Sequence, residues 1–221
     1  MRARPASVVG LLIVVAALAV AVATASAGRF QFSGAERGFR LVWPTFNISM
    51  SWNNNPRATT CPLTLEGSFH ATTMRKVIMT LIGYITRASM PEASCTVGPT
   101  EFPVRATLLR ETLPWHVRYA AFAGTLPTIT SMKLQFTGVS IFIHENSVVE
   151  WSCLYRTNAE APMQYQFVRE AGGAITAVNA EPVRQTAPLV GGFLCGESMT
   201  YEGNASLTQA GLTNKVTLTL I

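Results

Sequence analysis

Large apolar side chains recur at every second residue along much of this 221-residue chain, and that period dictates strands. Phe46, Ile48, Met50 and Trp52 alternate with Asn47, Ser49 and Ser51. A repeat of two puts the apolar groups on one face of an extended segment and the polar groups on the other. Asn53-Asn54-Asn55-Pro56 then ends the segment with turn residues. The alternation returns at Trp115, Val117 and Tyr119 around His116 and Arg118, and at Met163, Tyr165 and Phe167 around Gln164 and Gln166. It closes the chain at Val216, Leu218 and Leu220, which implies a paired last strand. Residues 61–69 read as another strand, and Glu170-Ala171-Gly172-Gly173 as a hairpin turn into a strand over 174–178.

Between Met132 and His144 the alternation changes phase. Met132, Leu134 and Phe136 are apolar at even positions, whereas Val139, Ile141 and Ile143 are apolar at odd ones. A slip of one residue reverses the buried face, so Gly138 marks a bulge or a bend where a strand changes sheets. One segment departs from the pattern. Met74, Val77, Ile78, Leu81, Ile82 and Ile85 are spaced like one stripe of a helix, with Thr72 or Thr73 as its cap and Pro91 beyond its end. The spacing predicts a helix over about 73–89. Against it stand Arg75 and Lys76 at the dipole's positive end, Gly83 in the middle, and several β-branched residues. The expected fold is mainly β: an antiparallel β-sandwich or barrel of about ten strands, with one α-helix and two disulfides.

Four cysteines, Cys61, Cys95, Cys153 and Cys195, follow an N-terminal segment with the marks of an export signal. Arg2 and Arg4 precede a sixteen-residue apolar run over 8–23, and Ala25-Ser26-Ala27 supplies the small-x-small exit. This predicts a signal peptide over 1–27 and a single secreted β domain over 28–221. An uncleaved N-terminal membrane anchor is the alternative, although the run falls short of the roughly 20 residues of a comfortable span. An even cysteine count behind such a signal reads as two disulfides. Three pairings are open. Neighbour pairing, Cys61–Cys95 and Cys153–Cys195, places one staple in each half, whereas Cys61–Cys153 with Cys95–Cys195 would tie the halves together.

Without Arg2 and Arg4 the chain keeps 15 basic and 12 acidic residues, a net charge of +3. The basic residues are scattered, which argues against a nucleic-acid partner. All twelve acids are Glu, so triads and calcium loops that need Asp are excluded in their usual forms. His70, His116 and His144 lie far apart in sequence and form no metal-ligand motif, and His144 is expected at a solvated hairpin corner. Gly196-Glu197-Ser198 lacks the second glycine of a nucleophile elbow and reads as a turn. Glu145 and Glu150 flank one turn and are the carboxylates a hydrolase reading would use. Asn47-Ile48-Ser49 and Asn204-Ala205-Ser206 match the glycosylation sequon. Trp43, Trp52, Trp115 and Trp151 could form a sugar platform, but alternation directs Trp52 and Trp115 inward. No catalytic, cofactor-binding or metal-ligating residue is assigned, and no cofactor is implied.

The chain resembles secreted β-rich proteins of high-GC Gram-positive and related soil bacteria that have no assigned function. The resemblance rests on the export signal, on CPLTLEG from Cys61 to Gly67, on LIGYITR from Leu81 to Arg87 and on TLPWHV from Thr112 to Val117. It implies a bacterial exported protein and no activity. The expectation is therefore a non-catalytic protein of the cell surface or medium, whose partner is an envelope component, a glycan or an apolar small molecule. A carrier holding a lipid-like ligand in a barrel, and a hydrolase using Glu and His, are the alternatives.

Overall fold

The structure, a computed structural model, describes residues 29–32, 37–97, 104–124, 130–145, 151–169, 175–179, 185–211, 216 and 218–220. The predicted signal over 1–27 lies outside them. The first strands are β1 (Arg29–Phe32), β2 (Gly38–Trp52), β3 (Asn55–Phe69), β4 (Thr73–Arg75), β5 (Leu81–Ser89) and β6 (Thr96–Val97). There follow β7 (Arg105–Leu108), β8 (Trp115–Ala123), β9 (Ser131–Thr137), β10 (Ser140–Glu145), β11 (Trp151–Arg156) and β12 (Met163–Arg169). The last are β13 (Ile175–Asn179), β14 (Gln185–Gly192), β15 (Ser198–Glu202), β16 (Ser206–Gln209) and β17 (Leu218–Leu220). Two 3₁₀ turns, Glu92–Ser94 and Arg110–Thr112, complete the described elements.

The fold is mainly β, as the alternation requires, and one antiparallel sheet curls into a half-barrel. Its strand order is β13-β12-β9-β8-β5-β3-β2-β15-β14-β11-β10-β7, with β16 added against β2 and β6 against β3. A separate three-stranded sheet pairs β1 between β4 and β17, so the last strand is paired as expected. The long β2–β3 hairpin turns at Asn53 and Asn54, whose φ angles of 48° and 61° suit asparagine in the left-handed region.

This hairpin serves two arms of the sheet. Residues 39–42 of β2 pair with β16, whereas 47–50 pair with β15. The bend between them is a bulge, because the register with β3 shifts between Trp43 and Phe46. Phe39, Leu41 and Trp43 are buried before it, and Phe46, Ile48 and Met50 after it. Pro44 and Thr45 occupy the bulge and are exposed. The inserted residue switches the inward positions from odd to even, so both halves bury their large side chains.

The phase change at Gly138 is the second crossing. β9 pairs with β8 and β12 in the first arm, while β10 pairs with β7 and β11 in the second. Gly138 between them has φ of +89°, a conformation open to glycine and strained for other residues. The crossing is locked by Thr157, which is buried. The Val139 N–H donates to its hydroxyl at 3.0 Å, and that hydroxyl donates to the Phe136 carbonyl at 3.2 Å. Backbone bonds Gly138 N–H to Thr157 O and Thr157 N–H to Val139 O add to the clasp.

The predicted helix over 73–89 is not formed: the segment is β4, a turn and β5. Met79 at the turn has φ of 66°, and Val77 and Ile78 are exposed where a helix stripe would bury them. The misleading spacing comes from bulges. Against β8 the register shifts between Leu81 and Gly83, and against β3 it skips Thr86. Each extra residue in β5 lengthens the interval between inward positions, so Ile82, Ile85 and Ala88 are buried at steps of three. A twice-bulged strand thus imitates a helical period. Gly83 also belongs to the sheet, since a Cβ there would come within 2.4 Å of the Ser68 carbonyl oxygen.

Both disulfides follow neighbour pairing, Cys61–Cys95 and Cys153–Cys195. The interior of the curl is one continuous cluster that includes Trp43, Phe46, Trp115, Phe136, Tyr155, Tyr165 and Tyr201. Trp43 meets Tyr165 edge-on at 5.1 Å and Phe46 at 6.1 Å, while Phe46 stacks with Tyr201 at 5.9 Å. Tyr201 donates to the Pro162 carbonyl at 3.4 Å and Tyr155 to the Gly196 carbonyl at 3.0 Å. These contacts join strands from both arms.

Candidate functional site

On the outer face of the first arm, charged residues stand directly opposite one another on three adjacent strands. Arg40 of β2 pairs in register with Glu66 of β3, which pairs in turn with Arg87 of β5. Residues on the same face and opposite in register lie close enough for their side chains to meet. Arg40 Nε is 3.4 Å from Glu66 Oε1, and Arg87 Nη1 is 3.8 Å from Glu66 Oε2. Thr64 and Thr86 line the same surface, and the Arg110–Thr112 turn raises a wall beside it, contributing Arg110 and Leu113. The result is an open groove of about 480 Å³.

Three guanidinium groups face one carboxylate, so the groove carries a net charge of +2. Arg110 is exposed and has no hydrogen-bond or ion-pair partner among the described residues. The Arg110–Thr112 turn is tied down nonetheless. Thr112 Oγ1 donates to the Leu109 carbonyl at 2.7 Å and accepts from the indole of Trp115 at 2.8 Å. The wall that carries Arg110 is therefore anchored to a fully buried tryptophan.

The residues singled out in the sequence lie elsewhere. His70 is exposed at the end of β3, and its ring is 4.9 Å from that of Tyr84, which lies 5.4 Å from His116 on the same outer face. His144 is not at a solvated corner. It sits within β10, opposite Ser152 and Arg105, with only 20% of its side chain exposed. Its Nε2 is 3.5 Å from Glu92 Oε1, which also accepts from Arg105 at 3.0 Å. Pairing on both sides covers the ring, which the sequence placed beside a turn. Glu150 and the side chain of Glu145 lie outside the described residues. No cluster of three or more metal-ligating side chains forms among the described residues.

Trp43, Trp115 and Trp151 are buried, and Arg57 lies 4.0 Å over the Trp151 ring; the side chain of Trp52 lies outside the described residues. Asn47 accepts from Thr60 at 2.7 Å and is engaged across the strands, while Asn204 is exposed. Ser198 begins β15 and is exposed. The groove residues went unnoticed in the sequence because strand register brings them together. Their signal is a charged residue at an outward position on each of three strands. Assigning residues 73–89 to a helix removed Arg87 from that set. Comparison with protein-family models, curated proteins and solved structures finds no match to this chain.

Proposed function

We propose that this is an exported bacterial protein, released by cleavage after Ala27, that works at the cell surface or in the medium as a non-catalytic binding protein. The observation that carries the reading is the groove of Arg40, Glu66, Arg87 and Arg110, a concave charged surface held on a rigid sheet. Sites on paired strands keep their geometry when a ligand arrives. Two disulfides support an oxidising compartment, where such bonds persist. The interior supports binding at the surface over carriage inside, because Trp43, Trp115, Tyr155 and Tyr165 fill the curl where a lipid would lie.

Secretion from a high-GC Gram-positive host tests the reading. The expected product begins at Gly28, gains four hydrogens on reduction, and is retained by washed cell envelopes. Arg87→Gln with Arg110→Gln should lower that retention. An intact leader in the secreted product would refute the export signal, and release of all protein from the envelopes would refute surface binding.

A further inference from the structure

We infer that the groove takes a carboxylated saccharide, with Arg87 and Arg110 on its carboxylate and Glu66 accepting from its hydroxyls. The inference rests on the reading of this face as a binding surface and names the ligand class. Arg87 has 83% of its side chain exposed and Arg40 has 48%, so most of their N–H donors are open to a ligand while Glu66 orients them. Arg110 brings a third set from the opposite wall. Guanidinium groups recognise carboxylates through two parallel hydrogen bonds.

The single carboxylate in the groove decides between classes of anion. Glu66 is a pure acceptor when ionised and repels a bare sulfate or phosphate that offers it no hydrogen. A ligand that carries its charge at one end and hydroxyl donors beside it satisfies both the arginines and Glu66. Thr64, Thr86 and Ser89 can donate to and accept from further hydroxyls. Leu113 gives an apolar edge for the C–H face of a sugar ring. The volume of about 480 Å³ lies within the range of small-ligand sites, about 300–1,000 Å³, and exceeds what a lone inorganic anion needs.

Titration calorimetry on the secreted chain tests this with three probes: a galacturonate trimer, the same trimer with its carboxyls reduced to alcohols, and inorganic sulfate. The acidic trimer should bind at least about tenfold more tightly than either of the others, since tenfold corresponds to the energy of one modest charge-assisted bond. Arg87→Gln and Arg110→Gln, both at exposed positions, should each weaken the acidic trimer several-fold and the reduced trimer less, because a guanidinium donates more strongly to a carboxylate than to an alcohol. Equal binding of the acidic and reduced trimers overturns the inference, as does sulfate binding as tightly as the acidic trimer. Envelope retention that depends on these arginines, without trimer binding, would leave the surface reading standing and remove only the saccharide.

Discussion

Cys153–Cys195 links β11 to the segment after β14, in the arm that also holds β7 and β10, and Cys61–Cys95 links β3, at the residue opposite Phe46, to the segment before β6. By contrast, the arm built on β5, β8, β9 and β12, with residues 39–43 and 63–69 of the hairpin, has no bridge among the described residues. The unstapled arm holds Phe39, Trp43, Phe69, Trp115, Tyr119, Phe136, Tyr165 and Phe167, eight of the twelve aromatic side chains buried among the described residues. The stapled arm holds Phe46, Trp151, Tyr155 and Tyr201, and its inward positions include Ala106 and Ala187. An aromatic ring buries about 150–250 Å²; a bridge acts mainly by limiting the unfolded chain. One arm is thus held by packing and the other by packing with cross-links. The groove lies on the arm held by packing, so Arg40 and Arg87 rest on strands backed by large rings.

Removing both bridges should have the largest effect. Each closes a loop of 34 or 42 residues, worth about 4 kcal/mol in the chain-entropy model. Together they approach the whole stability of an ordinary domain, about 5–15 kcal/mol. Hydrogen exchange under reducing conditions should show β10, β11 and β14 losing protection before β8, β9 and β12. Equal loss in both arms would break the distinction.

Trp115→Ala should cost about 3–5 kcal/mol in denaturant unfolding. It should also raise exchange at Arg110–Thr112, because the indole no longer donates to Thr112. Gly138→Ala should cost about 1–3 kcal/mol, since its φ of +89° is unfavourable for a side chain. The added Cβ would also sit 3.4 Å from the Trp115 ring. Thr157→Val at the same crossing should be comparable, because it leaves the Val139 N–H without its acceptor.

Alkaline pH probes the rings of both arms together. Burial pushes Tyr119 and Tyr155 up to about 12, and raises Tyr165 and Tyr201 as well. The folded state therefore holds these phenolic protons more tightly than the unfolded chain. Their contribution is complete below pH 10 and is lost as pH rises through about 12. Tyrosinate absorbance and unfolding should rise together over that window. Ionisation of these rings in the intact fold near pH 10 would contradict their burial. The smallest effect on stability should come from Arg87→Gln, within about 0.5 kcal/mol by denaturant unfolding, despite its loss of ligand.

Much of the fold was legible because the physics is local. Alternation located β2, β8 and β12, a run of asparagines marked the turn that ends β2, and a phase change exposed the crossing at Gly138. The same signal was present at Trp43 and Phe46 but requires the strand to be read through Pro44. β5 was misread because its two bulges space Ile82, Ile85 and Ala88 by three, as a helix would. The groove was not legible from spacing along the chain. Arg40, Glu66 and Arg87 belong to three strands, and only register makes them neighbours.

Amide exchange with and without the galacturonate trimer tests the central claim most directly. The account predicts added protection confined to residues 64–66, 86–89 and 110–113 of the aromatic-packed arm, with β10, β11 and β14 unchanged. Protection centred on the disulfide-bearing arm, or none at saturating trimer, would contradict it.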